Sequence, residues 1–454
     1  MRHCTHRGDA FYFNFCLVFT GKNLFRDLQA DPAGNEIGKD TVYRFLNSVN
    51  ANWRKFLHLL SAAVIRKQIL PLTSEQTPKV FIVDDSLYNR NRSKKVELLA
   101  RVHDHNENRY YCGFRLLTLG WSDGSTCVPV SFSLLSSAKE KNRLAPMAEI
   151  DRRTNGFKRR AESLRKAPEA LKDLVMQARH GGITADYLLF DSWFAFPATI
   201  LGLLKQKQQV ICMLKAMKTI TYGYQGFDLT LGDLYKSVRK RGGRAKILAS
   251  ALVELGTDDK GKPVMAKIVF VRNRSTRKWL ALLSTDVNLS DEEIVKLYKR
   301  RWDIEVFFKI INSYPRLAKG FQSHGYNALV AHTTIVFASY IMLEFKDGPA
   351  IMQRWLDRRS GRSPGAGCGP AVARASSAAG FFHNRSLAGI PSSDGHSTVR
   401  RPVSSRRIDW IPVRGTTAMA IAAFSSTGRA DRVSMARIST APPARVTLAI
   451  RVRL

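Results

Sequence analysis

No apolar run in the 454 residues reaches the roughly 18 residues that a membrane-spanning helix needs. The nearest candidate, Phe11–Phe19, is interrupted by Asn14 and followed by no small-residue cleavage site, so it reads as neither a span nor a secretory signal. Cysteine is sparse and scattered. Cys4, Cys16, Cys112, Cys127, Cys212 and Cys368 include no Cys-x-x-Cys pair, which fits reduced cytosolic thiols and excludes a zinc ribbon. Acid is short: 37 Asp+Glu stand against 72 Lys+Arg, a formal net charge of +35. Such an excess points to a polyanionic partner, and with membrane readings set aside that partner is nucleic acid. A sugar hydrolase built on paired carboxylates would leave the charge unexplained. What is present in quantity is core-forming material, 44% hydrophobic and 10% aromatic, which excludes disorder of the whole chain. The length suggests about two to three domains, and no internal repeat is visible.

Glutamate and lysine also run out. The last glutamate is Glu344 and the last lysine Lys346, after which residues 347–454 carry 17 arginines and five aspartates among many Ala, Ser, Gly and Pro. This Arg-rich tail shows no sustained helical or strand period. Two readings stand: a disordered basic tail that binds nucleic acid without specificity, or a GC-rich stretch translated out of frame. Neither needs a folded third domain.

Upstream of that break the patterning is globular. Residues 1–75 read as a helical N-terminal DNA-binding region, irregular up to about residue 38, with apolar positions three and four apart around Asp40–Val49 and Trp53–Lys67. From Lys79 the period changes. Val80–Val83, Phe114–Gly120 and Cys127–Leu135 read as strands, the last two joined by a turn at Ser122–Ser125. A helix over Pro168–Arg179, a strand over Asp186–Phe190, a helix over Pro197–Gln206 and a strand over Val210–Leu214 follow. Three antiparallel strands and then α, β, α, β is the order of the ribonuclease H-like fold. The expected class is α/β, a mixed sheet flanked by helices, with the catalytic domain over residues 76–346. Strand-like pieces Arg244–Val253 and Met265–Val271 mark a β-rich insertion at about 220–285. Ser290 and Glu293 then form a capping box that opens one helix reaching about Ser313, ended by Pro315.

Three acids stand out by position. Asp84 lies at the end of the first strand, Asp191 at the end of the fourth, and Glu305 in the helix after the insertion. Any one of them alone reads more readily as an ordinary acid, since Asp is common where strands give way to turns. As a set they matter, because the first and fourth strands of a ribonuclease H-like sheet are neighbours. Carboxylates brought together there repel one another unless cations intervene, and two Mg²⁺ ions bound by hard oxygen ligands are the natural solution, with Mn²⁺ as a substitute. Two such ions can activate an attacking oxygen and stabilise the leaving oxygen of a phosphodiester. On the same helix Tyr298, Arg301, Glu305 and Asn312 fall at i, i+3, i+7 and i+14, one helical face, while Lys299, Arg300 and Arg301 beside Trp302 join phosphate-binding cations to an aromatic plate.

Tyr298-x2-Arg301-x3-Glu305 resembles the Y-R-E-K signature of bacterial insertion-sequence transposases, the DDE group of the insertion-sequence-four type. Ile82–Ser86 resembles that family's first-aspartate strand, in a register that favours Asp84 over Asp85, and Leu189–Phe194 resembles its second. The resemblance covers about residues 40–346. It implies a DNA transposase that cuts transposon ends and joins them to target DNA by strand transfer. Asp84, Asp191 and Glu305 would be catalytic and bind metal; Tyr298, Arg301, Trp302 and Lys309 would hold DNA. Further implications are double-stranded terminal-repeat and target DNA as partners, a homodimer in the DNA complex, and a bacterial cytoplasmic, nucleoid-associated location. Two features depart from the family: Asn312 stands where it has a lysine, with Lys309 nearly one turn earlier as a partial substitute, and the basic tail replaces its C-terminal region. The competing expectations are a catalytically inactive DNA-binding protein derived from a transposase and a Mg²⁺-dependent nuclease without strand transfer.

Overall fold

The computed structural model describes residues 39–104, 107–243, 245–273, 278–313, 317 and 321–344. These all fall within one compact unit, Met1–Ala388. The expectations for residues 1–38 and for the tail lie outside the described residues.

The first strand, β1 (Val80–Asn89), lies between β3 (Arg109–Ser122), antiparallel to it, and β5 (Tyr187–Phe190), parallel to it. The far edge of β3 is shared by β2 (Ala100–Asp104) on its first half and β4 (Cys127–Leu135) on its second. Beyond β5 comes β6 (Gln209–Leu214), again parallel. The order β4-β3-β1-β5-β6 makes this α/β protein a ribonuclease H-like core. Leu188, Leu189 and Phe190 are fully buried, as expected of a parallel strand covered on both faces. The crossover from β4 to β5 runs through α3 (Asn155–Ser163) and α4 (Ala167–His180), and that from β5 to β6 through α5 (Pro197–Lys205). α4 stops at Gly181 and Gly182, the latter at φ +77°, where a side chain would be strained.

The β-rich insertion does not form a separate layer. β7 (Thr221–Tyr224), β8 (Phe227–Thr230), α6 (Leu231–Ser237), β9 (Ile247–Thr257), β10 (Pro263–Arg272) and β11 (Trp279–Ser284) follow β6, and β11 returns antiparallel to it. The sheet therefore continues as β6-β11-β10-β9-β7-β8, and the open edge of β6 is covered by the chain's own insertion.

Three expectations need correction. The first strand does not stop at Val83. It stays paired with β3 as far as Asn89–Gly113, because the two aspartates that look like a strand end each find an arginine partner. The single helix over Ser290–Ser313 is two, α7 (Asp291–Lys299) and α8 (Trp302–Ser313), broken at Arg300 and Arg301. The capping box at Ser290 and Glu293 is present as expected. Finally, α3 and the 19-residue α9 (Tyr326–Glu344) have no counterpart in the sequence reading.

The N-terminal helices α1 (Lys39–Leu46) and α2 (Trp53–Val64) share the core with the sheet: buried residues from Val42 to Met342 form one cluster. α2 packs on β4 and α9. Among the described residues no helix, α9 included, is long and apolar enough to cross a membrane.

Candidate active site

The last registered pair between β1 and β5 is Ile82–Leu189, and Asp84 and Asp191 each lie two residues further along. Parallel register thus brings the two acids to the same level, Asp84 in the middle of β1 just beyond its pairing with β5 and Asp191 just past the end of β5. Asp84 is 8% exposed, and its Oδ1 accepts the Asp85 amide at 2.9 Å. Asp191 opens the loop after β5, its Oδ1 accepting the Trp193 amide at 3.0 Å.

Glu305 arrives on α8, which is seated from both ends. Its buried Ile304, Phe307, Phe308 and Ile311 face the core, with Phe307 edge-on to Phe337 and Tyr340 of α9 at ring distances of 5.0 and 4.9 Å. Where α7 gives way to α8, Arg300 Nη1 donates to the Pro78 carbonyl at 2.5 Å and Ser122 Oγ donates to Asp303 Oδ2 at 2.8 Å. Gly124, in the β3–β4 turn at φ +97°, is needed there, since a Cβ would lie 2.9 Å from the Arg300 guanidinium. These ties fix the start of α8 beside the start of β1 and leave its next turn opposite Asp84.

Between the acids stands Arg301. Its Nη1 donates to Asp84 Oδ2 at 2.9 Å and to Glu305 Oε1 at 3.3 Å, and its charge also acts on Asp191. Burial pushes the Asp84 carboxyl up, Arg301 pulls it back, and Glu305 and Asp191 push it up again, to about 8. Asp191 is raised as well, by burial first and then by the charges of Asp85 and Glu305. A carboxyl that holds its proton near neutral pH, as that of Asp84 does, is a sign of too little positive charge in a buried place. Two further polar atoms, Tyr298 Oη, buried beside Asp84 and Asp191, and Thr118 Oγ1, opposite Asp84 across β1 and β3, have no hydrogen-bond partner among the described residues.

Of the other DNA-holding candidates, Trp302 is 65% exposed and Lys309 exposed on α8, while Tyr298 belongs to α7 and is half-buried. The structure thus brings Asp84, Asp191, Glu305, Arg301 and Tyr298 together and leaves Trp302 and Lys309 exposed on α8, one turn to either side of Glu305. Among the described residues no three His, Cys, Asp or Glu side chains are disposed to hold one metal ion as they stand. The donor chemistry nonetheless suits a hard divalent cation: three carboxylates, short of positive charge, are already gathered about a single guanidinium.

A second pair escaped the sequence reading. Strand alternation sends Asp85 to the sheet face opposite Asp84. There Arg115 of β3 bonds Asp85 Oδ2, donates to the His103 carbonyl at 3.0 Å and lies 5.3 Å from the centre of the Trp193 ring. The signal available was the Asp84-Asp85 doublet itself, only one member of which can face α8.

The family described as DDE superfamily endonuclease matches residues 12–244, just over half of the chain. The chain belongs to the DDE superfamily. The family described as Transposase DDE domain matches residues 165–342. The first match contains Asp84 and Asp191, the second Asp191 and Glu305, so the two DDE matches overlap on the middle acid. No individual curated protein matches the chain.

Proposed function

We propose that this DDE protein is the transposase of an insertion sequence of the insertion-sequence-four type, cutting transposon ends and joining them to target DNA by strand transfer. The observation that carries the reading is the meeting of Asp84, Asp191 and Glu305, from β1, the end of β5 and α8, about one arginine. In this reading the three carboxylates hold two divalent ions, Mg²⁺ or in substitution Mn²⁺. Bound ions supply a nucleophilic oxygen at neutral pH and stabilise charge on the leaving oxygen of a phosphodiester. The chain's own residues do the rest. Burial of Asp84 keeps bulk water from the ligands, the Asp85 amide and the Trp193 amide fix the orientation of Asp84 and Asp191, and Tyr298 and Arg301 turn toward a phosphate of the bound end. Trp302 and Lys309 extend the contact along the exposed part of α8 to either side of Glu305. The partners are double-stranded terminal-repeat and target DNA, with a homodimer in the complex and a nucleoid-associated place in a bacterial cytoplasm.

The decisive experiment uses DNA flanking the coding sequence. The full chain should cleave it in Mg²⁺ and bind without cleaving in EDTA. Asn312, exposed on α8 where the resembling family carries lysine, favours one second reading, a DNA-binding protein derived from a transposase that no longer cuts. That protein would bind equally in Mg²⁺ and EDTA and never cleave.

A further inference from the structure

Arg301 occupies the place where the acids most need a cation. Its Nη1 reaches Asp84 at 2.9 Å and Glu305 at 3.3 Å, and Nη2 also reaches Glu305 at 3.3 Å. A guanidinium and a divalent ion cannot share that space, because each repels the other and both need the same carboxylate oxygens. Among the described residues no three carboxylates are arranged to hold a metal ion. The arginine's backbone is held at the α7–α8 break, its N–H donating to the Tyr298 carbonyl at 3.0 Å and its carbonyl accepting from Ile304 at 3.4 Å, but its side chain is long, partly exposed and free to turn about its own bonds. It has another natural partner, since a planar guanidinium binds a phosphodiester in two-pronged fashion at least as well as it binds a carboxylate.

We propose that Arg301 couples DNA binding to metal binding: without DNA it holds Asp84 and Glu305 as a stand-in cation, and a DNA phosphate draws it off and frees the carboxylates for divalent ions. The coupling rests on the transposase reading above. It makes Arg301 a positioning residue with two alternating partners, and it would keep a chain that has no nucleic acid at this site from holding its cutting ions until a phosphate is in place. By linkage, whatever factor DNA adds to metal affinity, metal must add to DNA affinity.

The test measures Mn²⁺ binding to the full chain by the loss of the free-ion paramagnetic signal, with and without duplex DNA from the flanks of the coding sequence. DNA should tighten Mn²⁺ binding to the wild type roughly tenfold. Arg301→Gln should bind Mn²⁺ roughly tenfold more tightly than the wild type without DNA, and DNA should then add no more than about twofold. Arg301→Lys, which keeps the charge but lacks the fork, should move in the same direction by less, and serves if the glutamine variant folds poorly. The coupling is overturned if neither variant binds Mn²⁺ more tightly than the wild type, or if DNA leaves the wild-type affinity unchanged. If Asp84→Asn and Glu305→Gln bind Mn²⁺ as well as the wild type, the carboxylates are not the metal site, and the transposase reading falls with the coupling. If those two lose the ion while Arg301→Gln behaves as wild type, the coupling alone falls.

Discussion

Two acid–arginine centres in this molecule, each built on one buried carboxyl, use the same groups to opposite effect. In one, Arg54 of α2 makes a two-pronged bond to Glu162 of α3 at 2.5 and 2.6 Å, with Arg159 at 3.8 Å and the Ser133 hydroxyl donating to the same carboxylate. Burial pushes Glu162 up, and the two arginines override it to bring the carboxyl down to about 2. In the other, Arg301 alone faces Asp84, Glu305 and Asp191, and Asp84 is left at about 8. Cations outnumber acids at the first centre, and acids outnumber the cation at the second. Glu162 is finished with what the chain supplies and joins α2, α3 and β4. The Asp84 centre is short of positive charge, the condition a site must have if mobile cations are to be held there.

The largest contrast should come from removing one acid at each centre's heart. Asp84→Asn takes away a proposed metal ligand and relieves crowding, so cleavage of end DNA should fall on the order of a thousandfold, about 4 kcal/mol of barrier. The same variant should melt at or above the wild-type temperature without metal and bind DNA in EDTA nearly as before. Normal cleavage by Asp84→Asn together with inactivity of Asp85→Asn would reverse the assignment of the two aspartates.

At the other centre the effect should be on stability. Arg54→Ala leaves Glu162 buried with its main partner gone, which typically costs about 3–5 kcal/mol. Chemical denaturation should read that loss, and Mn²⁺ binding per folded molecule should not change. A loss below about 1 kcal/mol would show that Arg159 and Ser133 suffice and that the pair is not what joins α2 to α3.

pH separates the centres by sign. The metal-free fold holds the Asp84 proton up to about pH 8 against an ordinary value of 3.8, so between these values the native state binds more protons than the unfolded one, and stability falls as pH rises. Glu162 runs the other way: its contribution is present above the ordinary 4.5 and lost as pH falls toward about 2. Two buried imidazoles, His58 at about 4 and His332 at about 3 through burial and nearby arginines, also withdraw stability as pH drops below 6.5. The window from pH 6.5 to 8 therefore isolates the Asp84 side. In EDTA the wild-type melting temperature should fall across that window, and Asp84→Asn should flatten the fall. A wild type whose melting temperature rises from pH 6.5 to 8 would mean the acids are already ionised.

The sequence showed the under-compensated centre better than the compensated one, for physical reasons. Asp84 and Asp191 follow short apolar strands, and Glu305 shares a helical spacing with Tyr298 and Arg301, so local pattern alone singles them out. Arg54 and Glu162 are 108 residues apart; Arg54 looks like an ordinary polar position of an amphipathic helix, and Glu162 lies in a polar stretch that reads as no element, until the fold unites them. Asp85 and Arg115 meet only through the β1–β3 register. α9 left no helical period because Leu329, Ile335, Phe337 and Ile341 are buried on all its sides, and periodicity needs a wet face. α3 was missed for the opposite reason: its text is polar, and its buried Arg160 is satisfied by Glu97 and Asn327. The α7–α8 break was invisible too, since nothing in Lys299–Trp302 disfavours helix; the bonds of Arg300 to the Pro78 carbonyl and of Arg301 to Asp84 accompany it.

The smallest expected effect lies on the rim of the under-compensated centre and asks how far its cation deficit extends. Lys309 and Asn312, four and seven residues beyond Glu305, are both exposed on α8, on the side of the helix that Glu305 occupies. Asn312→Lys adds one cation well outside the buried cluster. It should leave Asp84 and its ion binding untouched, yet steepen the salt dependence of DNA binding by about one phosphate's worth of counterion release. Lys309 already supplies a cation nearby, so the gain at moderate salt should be only a few-fold. An unchanged salt slope would place this stretch of α8 away from the DNA backbone and confine the phosphate contact to Arg301. A changed Mn²⁺ affinity without DNA would show instead that the rim and the centre share one electrostatic field, and that the deficit at Asp84 is set by the whole face of α8 rather than by Arg301 alone.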